Sequence, residues 1–189
     1  VLTSKGFEAL ADDQVVLQQS IDAFDASLRV YTRAANPVRW ATAQSNRGGS
    51  EIELAHAIYA ATDNLQGQAL EAGNKDAEHL PEVMAARDKS VAILDGVVSS
   101  LQEALVARPR SDSPLDWALI QHTLAGALSE RAKLTDSADD FRAATAAFRA
   151  VLEVHDKVRT PAQWARSAAN LAATLRSWSA SAKDPTPLT

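Results

Sequence analysis

Chemistry in this 189-residue chain has few residues to work with: four histidines, no cysteine and a scatter of carboxylates. Glu53-Leu54-Ala55-His56 is a Glu-x-x-His sequence. On a helix it places both side chains on one face, as in carboxylate-bridged di-iron bundles. Such a site needs a second Glu-x-x-His and two further glutamates, and no second Glu-x-x-His occurs. The competing reading makes Glu53 the acid of a capping box opened by Ser50, with His56 a surface or half-buried histidine. Arg47-Gly48-Gly49-Ser50 is either an anion-binding turn at a helix N-terminus or a break between two helices, since paired glycines are costly inside a helix. The break is the reading adopted. His155, beside Asp156 and Lys157, reads as a solvated imidazole at a helix C-terminus. His122 has two open readings: it faces a groove or it packs between helices. No nucleophile–base signature, glycine-rich phosphate loop or paired-acid motif is present. The expectation is a protein without enzymatic activity, metal or cofactor.

The elements that must position these residues announce themselves at three places. Asn36-Pro37-Val38-Arg39-Trp40-Ala41, Ser113-Pro114-Leu115-Asp116-Trp117-Ala118 and Thr160-Pro161-Ala162-Gln163-Trp164-Ala165 share one pattern. Asn, Ser and Thr are N-cap residues. Proline suits the first helical position, where its missing N–H costs nothing. Three of the four tryptophans therefore occupy the first turn of three helices, which marks an internal repeat. The match extends upstream: thirteen residues before each proline stand Phe24, Leu101 and Phe148, and nine before stand Leu28, Leu105 and Leu152. Each unit is thus a helix, a capped turn and a Trp helix. Ring-stacking on a ligand is one use for the tryptophans; wedging between neighbouring helices is the one expected.

Apolar residues at three- and four-residue spacing place helices over about 8–34, from Pro37 to the Gly48-Gly49 break, from Ser50 to about Ala72, from Pro81 to Arg108, from Pro114 to about Lys133, over about 136–158, and from Pro161 to about Trp178. No segment alternates with period two. The chain reads as all-α, six to seven helices in antiparallel pairs, forming a single domain over 1–180. An irregular insertion at about 48–80 and a flexible tail at 181–189 complete it. The Trp-to-Trp spacings are 77 and 47 residues, and the insertion is expected to account for the difference.

Leu124 and Leu171 stand seven residues after their tryptophans, and Ala144-x3-Phe148 lies in the partner helix. With Pro-x-x-Trp-Ala and the following Leu-Ala-Gly-Ala-Leu stretch at Leu124–Leu128, the chain resembles the tetratricopeptide repeat (TPR), in its longer bacterial variant. The resemblance covers most of residues 10–180. It departs in unit length, which exceeds the usual 34 residues, and in Arg47, which stands where leucine is expected. It implies a stacked array whose groove binds a peptide or helix of a partner protein. The groove residues it implies are Gln44, Gln121, His122 and Asn170; Pro37, Trp40, Pro114, Trp117, Pro161 and Trp164 carry the repeat. The alternative readings are a helical regulatory domain of a larger enzyme or signalling protein and, less favoured, a metal-binding helical bundle using Glu53 and His56.

Net charge is −5, which argues against nucleic acid, whose phosphates demand a basic footprint. Residues 1–80 carry six basic and eleven acidic side chains, and residues 81–189 carry thirteen of each. No apolar run approaches the ~20 residues of a membrane helix, and no signal peptide is visible, so a cytoplasmic protein without membrane insertion is expected. In the last helix Leu171, Leu175 and Trp178 form an apolar stripe with no following helix, which points to self-association through that end.

Overall fold

The computed structural model describes residues 4–182, with side chains from residue 12 onward, Asn64 excepted. Seven α-helices follow one another: α1 (Ser4–Val30), α2 (Pro37–Ala60), α3 (Asp63–Glu71), α4 (Pro81–Ala107), α5 (Pro114–Thr135), α6 (Ala138–Leu152) and α7 (Pro161–Ser181), with one 3-10 turn at Ala77–His79 before α4. No strand occurs among the described residues. Six of the helices form a row, α1–α2–α4–α5–α6–α7, each packed on the next. The short α3 touches chiefly the 3-10 turn and stands aside from the row. Residues 183–189, the greater part of the expected tail, lie outside the described residues.

The three Trp helices start alike. Asn36, Ser113 and Thr160 hold the N-cap positions and proline follows each. The Trp40, Trp117 and Trp164 amides each donate to the cap carbonyl at 2.9 Å. Only Asn36 also caps with its side chain, accepting from the Arg39 amide at 3.1 Å. The Ser113 hydroxyl instead donates to Asp116, which holds Arg108 as well. The Thr160 hydroxyl closes a turn on Asp156. A charged or turn-forming neighbour outcompetes the cap bond in both.

A cation lies over each of these indoles: Arg33 at 5.5 Å from the Trp40 ring, Arg110 at 5.2 Å from Trp117 and Lys157 at 4.4 Å from Trp164. Each cation stands seven residues before its tryptophan. The loop between the paired helices is therefore pinned to the helix it opens. The wedge expected of the tryptophans holds for Trp40, which is buried in the core, but Trp117 and Trp164 are half-buried.

α2 runs unbroken through Gly48-Gly49, against the expected break, and Ser50 lies inside it rather than at a cap. Packing is the reason. A Cβ on Gly48 would come within 3.2 Å of Val97 on α4, so the glycine lets the two helices approach closely. The irregular region is consequently confined to residues 61–80, not 48–80. Its excess length, together with the 27 residues of α4 against the 15 of α6, makes up most of the difference between the two Trp spacings. Helix ends also differ from the reading of the sequence: α1 stops at Val30 and α6 at Leu152.

Small residues recur at seven-residue steps along the Trp helices, where each meets the helix that follows it in the row. In α2 these are Ala41, Gly48 and Ala55; in α5 they are Ala118, Ala125 and Ala132. All six are buried, the three in α5 completely. The seven-residue step keeps one face toward the partner. Leu94, Val97, Leu101 and Ala104 of α4 fill the core between α2 and α5 with no exposure at all. α4 is also long and apolar enough by composition to cross a membrane, with 33% of its most apolar stretch buried in the fold.

Candidate functional site

The Trp helices lie side by side, α2 on α5 and α5 on α7, so their exposed edges make one surface. A groove of about 560 Å³ runs along it. α5 is its floor, with Leu119, His122, Thr123 and Gly126; α2 with Asn46, Ile52 and Glu53 is one wall, and α7 with Arg166 and Asn170 is the other. Ser20 and Phe24 of α1 close the end beside α2. Arg166 and Glu53 face the groove from opposite walls, and neither has an ion-pair partner among the described residues.

Polar pairs stitch the groove side of the array. Ser45 of α2 meets Thr123 of α5 at 3.1 Å, and Ser129 of α5 meets Thr174 of α7 at 2.9 Å. His122 supplies the third stitch, with Nδ1 at 2.9 Å from the Ser167 hydroxyl. That hydroxyl already donates to the Gln163 carbonyl, so Nδ1 must be the donor to it. Nε2 is then the acceptor for the Asn170 amide at 3.3 Å. A neutral imidazole satisfies every partner. The Phe148 ring meets it edge-on at 5.4 Å. Burial, and then the nearby charges of Arg166 and His155, push its pKa down to about 4. The two readings of His122 are both realised: it packs between α5, α6 and α7, and it borders the groove.

This shift has a sign that experiment can read. Unfolded, the imidazole takes up a proton near 6.5; folded, it does so only near about 4. Stability linked to His122 is complete above the unfolded value and is lost as pH falls through the interval. His122→Gln should remove that dependence. The stability difference between wild type and variant should shrink by about 2 kcal/mol from neutral pH to the lower limit, allowing for partial solvent screening. Urea unfolding at several pH values measures it; a difference independent of pH contradicts the neutral, buried imidazole.

Of the four groove residues implied by the resemblance, His122 and Asn170 are brought together in the groove. Gln44 and Gln121 are not among its lining residues. Both are half-buried, and the Gln44 side-chain oxygen is enclosed without a hydrogen-bond partner. The groove positions follow the repeat register: Asn46, Thr123 and Asn170 are equivalent at spacings of 77 and 47 residues. Applied to Asn170, that register would have found the other two. Arg47 is spent inside the fold, on Asp25 at 2.7 Å and Glu51 at 3.1 Å, and the Ser50 hydroxyl meets that of Ser20. No helix begins there, so the anion-binding turn is absent. His155 is buried, not solvated; burial lowers its pKa, and its Nδ1 is enclosed without a partner. It falls in the loop beyond α6, where the Trp helix α7 turns in over it.

Glu53 and His56 are both exposed on α2 and serve different surfaces, Glu53 the groove and His56 a cleft beside Glu130 and Lys133 of α5. No three His, Asp or Glu side chains gather as metal ligands among the described residues. In the last helix, Trp178 stacks on Phe141 of α6 with ring centroids 6.2 Å apart, and Leu171 packs against Phe148. The apolar stripe expected to drive self-association is therefore already turned inward. No protein family, curated protein or solved structure matches the chain in comparisons with known proteins.

Proposed function

We propose that the chain is a tetratricopeptide-like interaction module that holds a helix or extended peptide of a partner protein in the groove between α2, α5 and α7. The observation that carries this reading is the groove itself. Its floor mixes apolar and polar side chains, and its two walls offer Glu53 and Arg166, without an ion-pair partner among the described residues. Burying such charges unpaired is costly, so a bound segment must bring a cation toward α2 and a carboxylate toward α7. Phe24, Ile52 and Leu119 supply the apolar contact area. Two opposite charges on opposite walls give a direction to the bound segment, because the reversed orientation sets like charges together.

Site-specific photocrosslinking tests this. A benzophenone amino acid at Thr123, on the groove floor, is compared with one at Val106, which is 70% exposed on α4. Adducts to a single protein from Thr123 and none from Val106 are expected, with at least about a tenfold loss when Arg166 is changed to Glu, as removal of a paired charge in a binding site produces. Equal labelling from both positions, or none from Thr123, overturns the groove as the working surface.

A further inference from the structure

Among the described residues the repeat register leaves a position without a neighbouring helix at each end of the row. Adding 47 to the small residues of α5 gives Ala165, Ala172 and Ser179 in α7. Their counterparts Ala118, Ala125 and Ala132 have no exposure, Ala125 lying against Ala147 and Phe148 of α6, and Ala41, Gly48 and Ala55 are buried in the cluster with α4, Gly48 against Val97 and Leu101. Ala165, Ala172 and Ser179 are all exposed. The missing neighbour is thus defined by the molecule's own interior: a helix of the α4 and α6 kind. In α6 the residues that meet Ala125 are Ala147 and Phe148, both buried. Subtracting 124 carries them to Ala23 and Phe24 of α1. There Ala23 is exposed and Phe24 half-exposed, because no Trp helix precedes α1 in the row. Val16, the α1 counterpart of Asp140, is 62% exposed.

The two open faces are halves of one contact that the array makes twice internally. We infer that α7 of one copy receives α1 of a second, in a head-to-tail contact that reproduces the packing of α5 on α6. Charge supports the match: with Arg166 on the groove and Asp25 held by Arg47, α7 still carries Arg176 and no acid, whereas α1 from residue 12 carries Asp12, Asp13 and Asp22 against Arg29. The contact is heterologous, so each added copy leaves a fresh face open and the product is a growing stack rather than a closed pair. It lies at the ends of the row and shares Phe24 with the end of the groove proposed to hold a partner.

Sedimentation velocity from micromolar to submillimolar concentration tests it with Ala172→Arg and Ala23→Arg. Both positions are exposed in the single chain, so circular dichroism and melting should match wild type. Wild type is expected to form dimers and longer species as concentration rises. Each variant alone should remain monomeric. Their mixture should form a dimer and stop there, because one intact α1 meets one intact α7. Thr123→Arg, which blocks the groove, should associate like wild type. A wild type that stays monomeric throughout overturns the inference. So does association that survives in either variant alone, as a symmetric contact between two α7 or two α1 helices would require, and so does a mixture that fails to dimerise.

Discussion

Trp40→Ala is expected to lower the free energy of unfolding by about 3–5 kcal/mol, the range for removing a buried aromatic side chain. The same substitution at Trp117 or Trp164 should cost about 2 kcal/mol or less, because transfer and cavity terms scale with what is buried. The three residues begin their helices with the same backbone bond, so local chemistry predicts equal losses. Burial separates them: Trp40 is 8% exposed and belongs to the cluster with Leu94, Leu101 and Leu124, while the other two are half-open to solvent beneath their cations. Urea unfolding of the three variants decides it, and three equal losses would sink the assignment of Trp40 as the core residue of the set.

The second large effect sits at the paired glycines. Gly48→Leu should destabilise by about 3 kcal/mol, at the upper end for overpacking, because Val97 and Leu101 of α4 stand against the position. Its neighbour should respond in the opposite sense. A Cβ on Gly49 meets nothing within 4 Å, and the residue lies inside a continuous helix. Gly49→Ala should therefore stabilise by up to about 1 kcal/mol, the ordinary helix-propensity difference. A helix break at this place predicts that Gly49→Ala destabilises, so the sign alone distinguishes the two structures.

What the sequence made legible was local and repeated. Asn36-Pro37, Ser113-Pro114 and Thr160-Pro161 set helix starts by chemistry confined to one turn, and their recurrence established the array before any contact was known. The glycine pair misled because its cost is local and its compensation is not: the close approach of α4 at Val97 has no trace within the α2 sequence. Ser50 and Glu53 matched a capping box by type, yet inside an unbroken helix their partners are elsewhere. The groove was displaced by two residues for a geometric reason. Gln44 and Gln121 sit about 200° around the helix from Asn46 and Thr123, so a small error in register moves a residue from the open edge into the packing. The cation seven residues before each tryptophan was present in the letters, at Arg33, Arg110 and Lys157. Its meaning required knowing that the loop folds back over the ring.

The stitches between Trp helices have a mechanical consequence. On the groove side α5 and α7 are joined by His122–Ser167, Asn170–His122 and Ser129–Thr174, short and directional bonds. Away from the groove, Arg131 of α5 ties the row to Asp95 of α4 and Asp140 of α6. Such a layered strip resists shear along its stitched edge, because sliding one Trp helix past the next breaks the groove-side bonds together. Under tension applied through its ends, the strip is expected to yield at an end helix, α1 or α7, each with a row neighbour on one flank only, before the core between α2, α4 and α5 is disturbed.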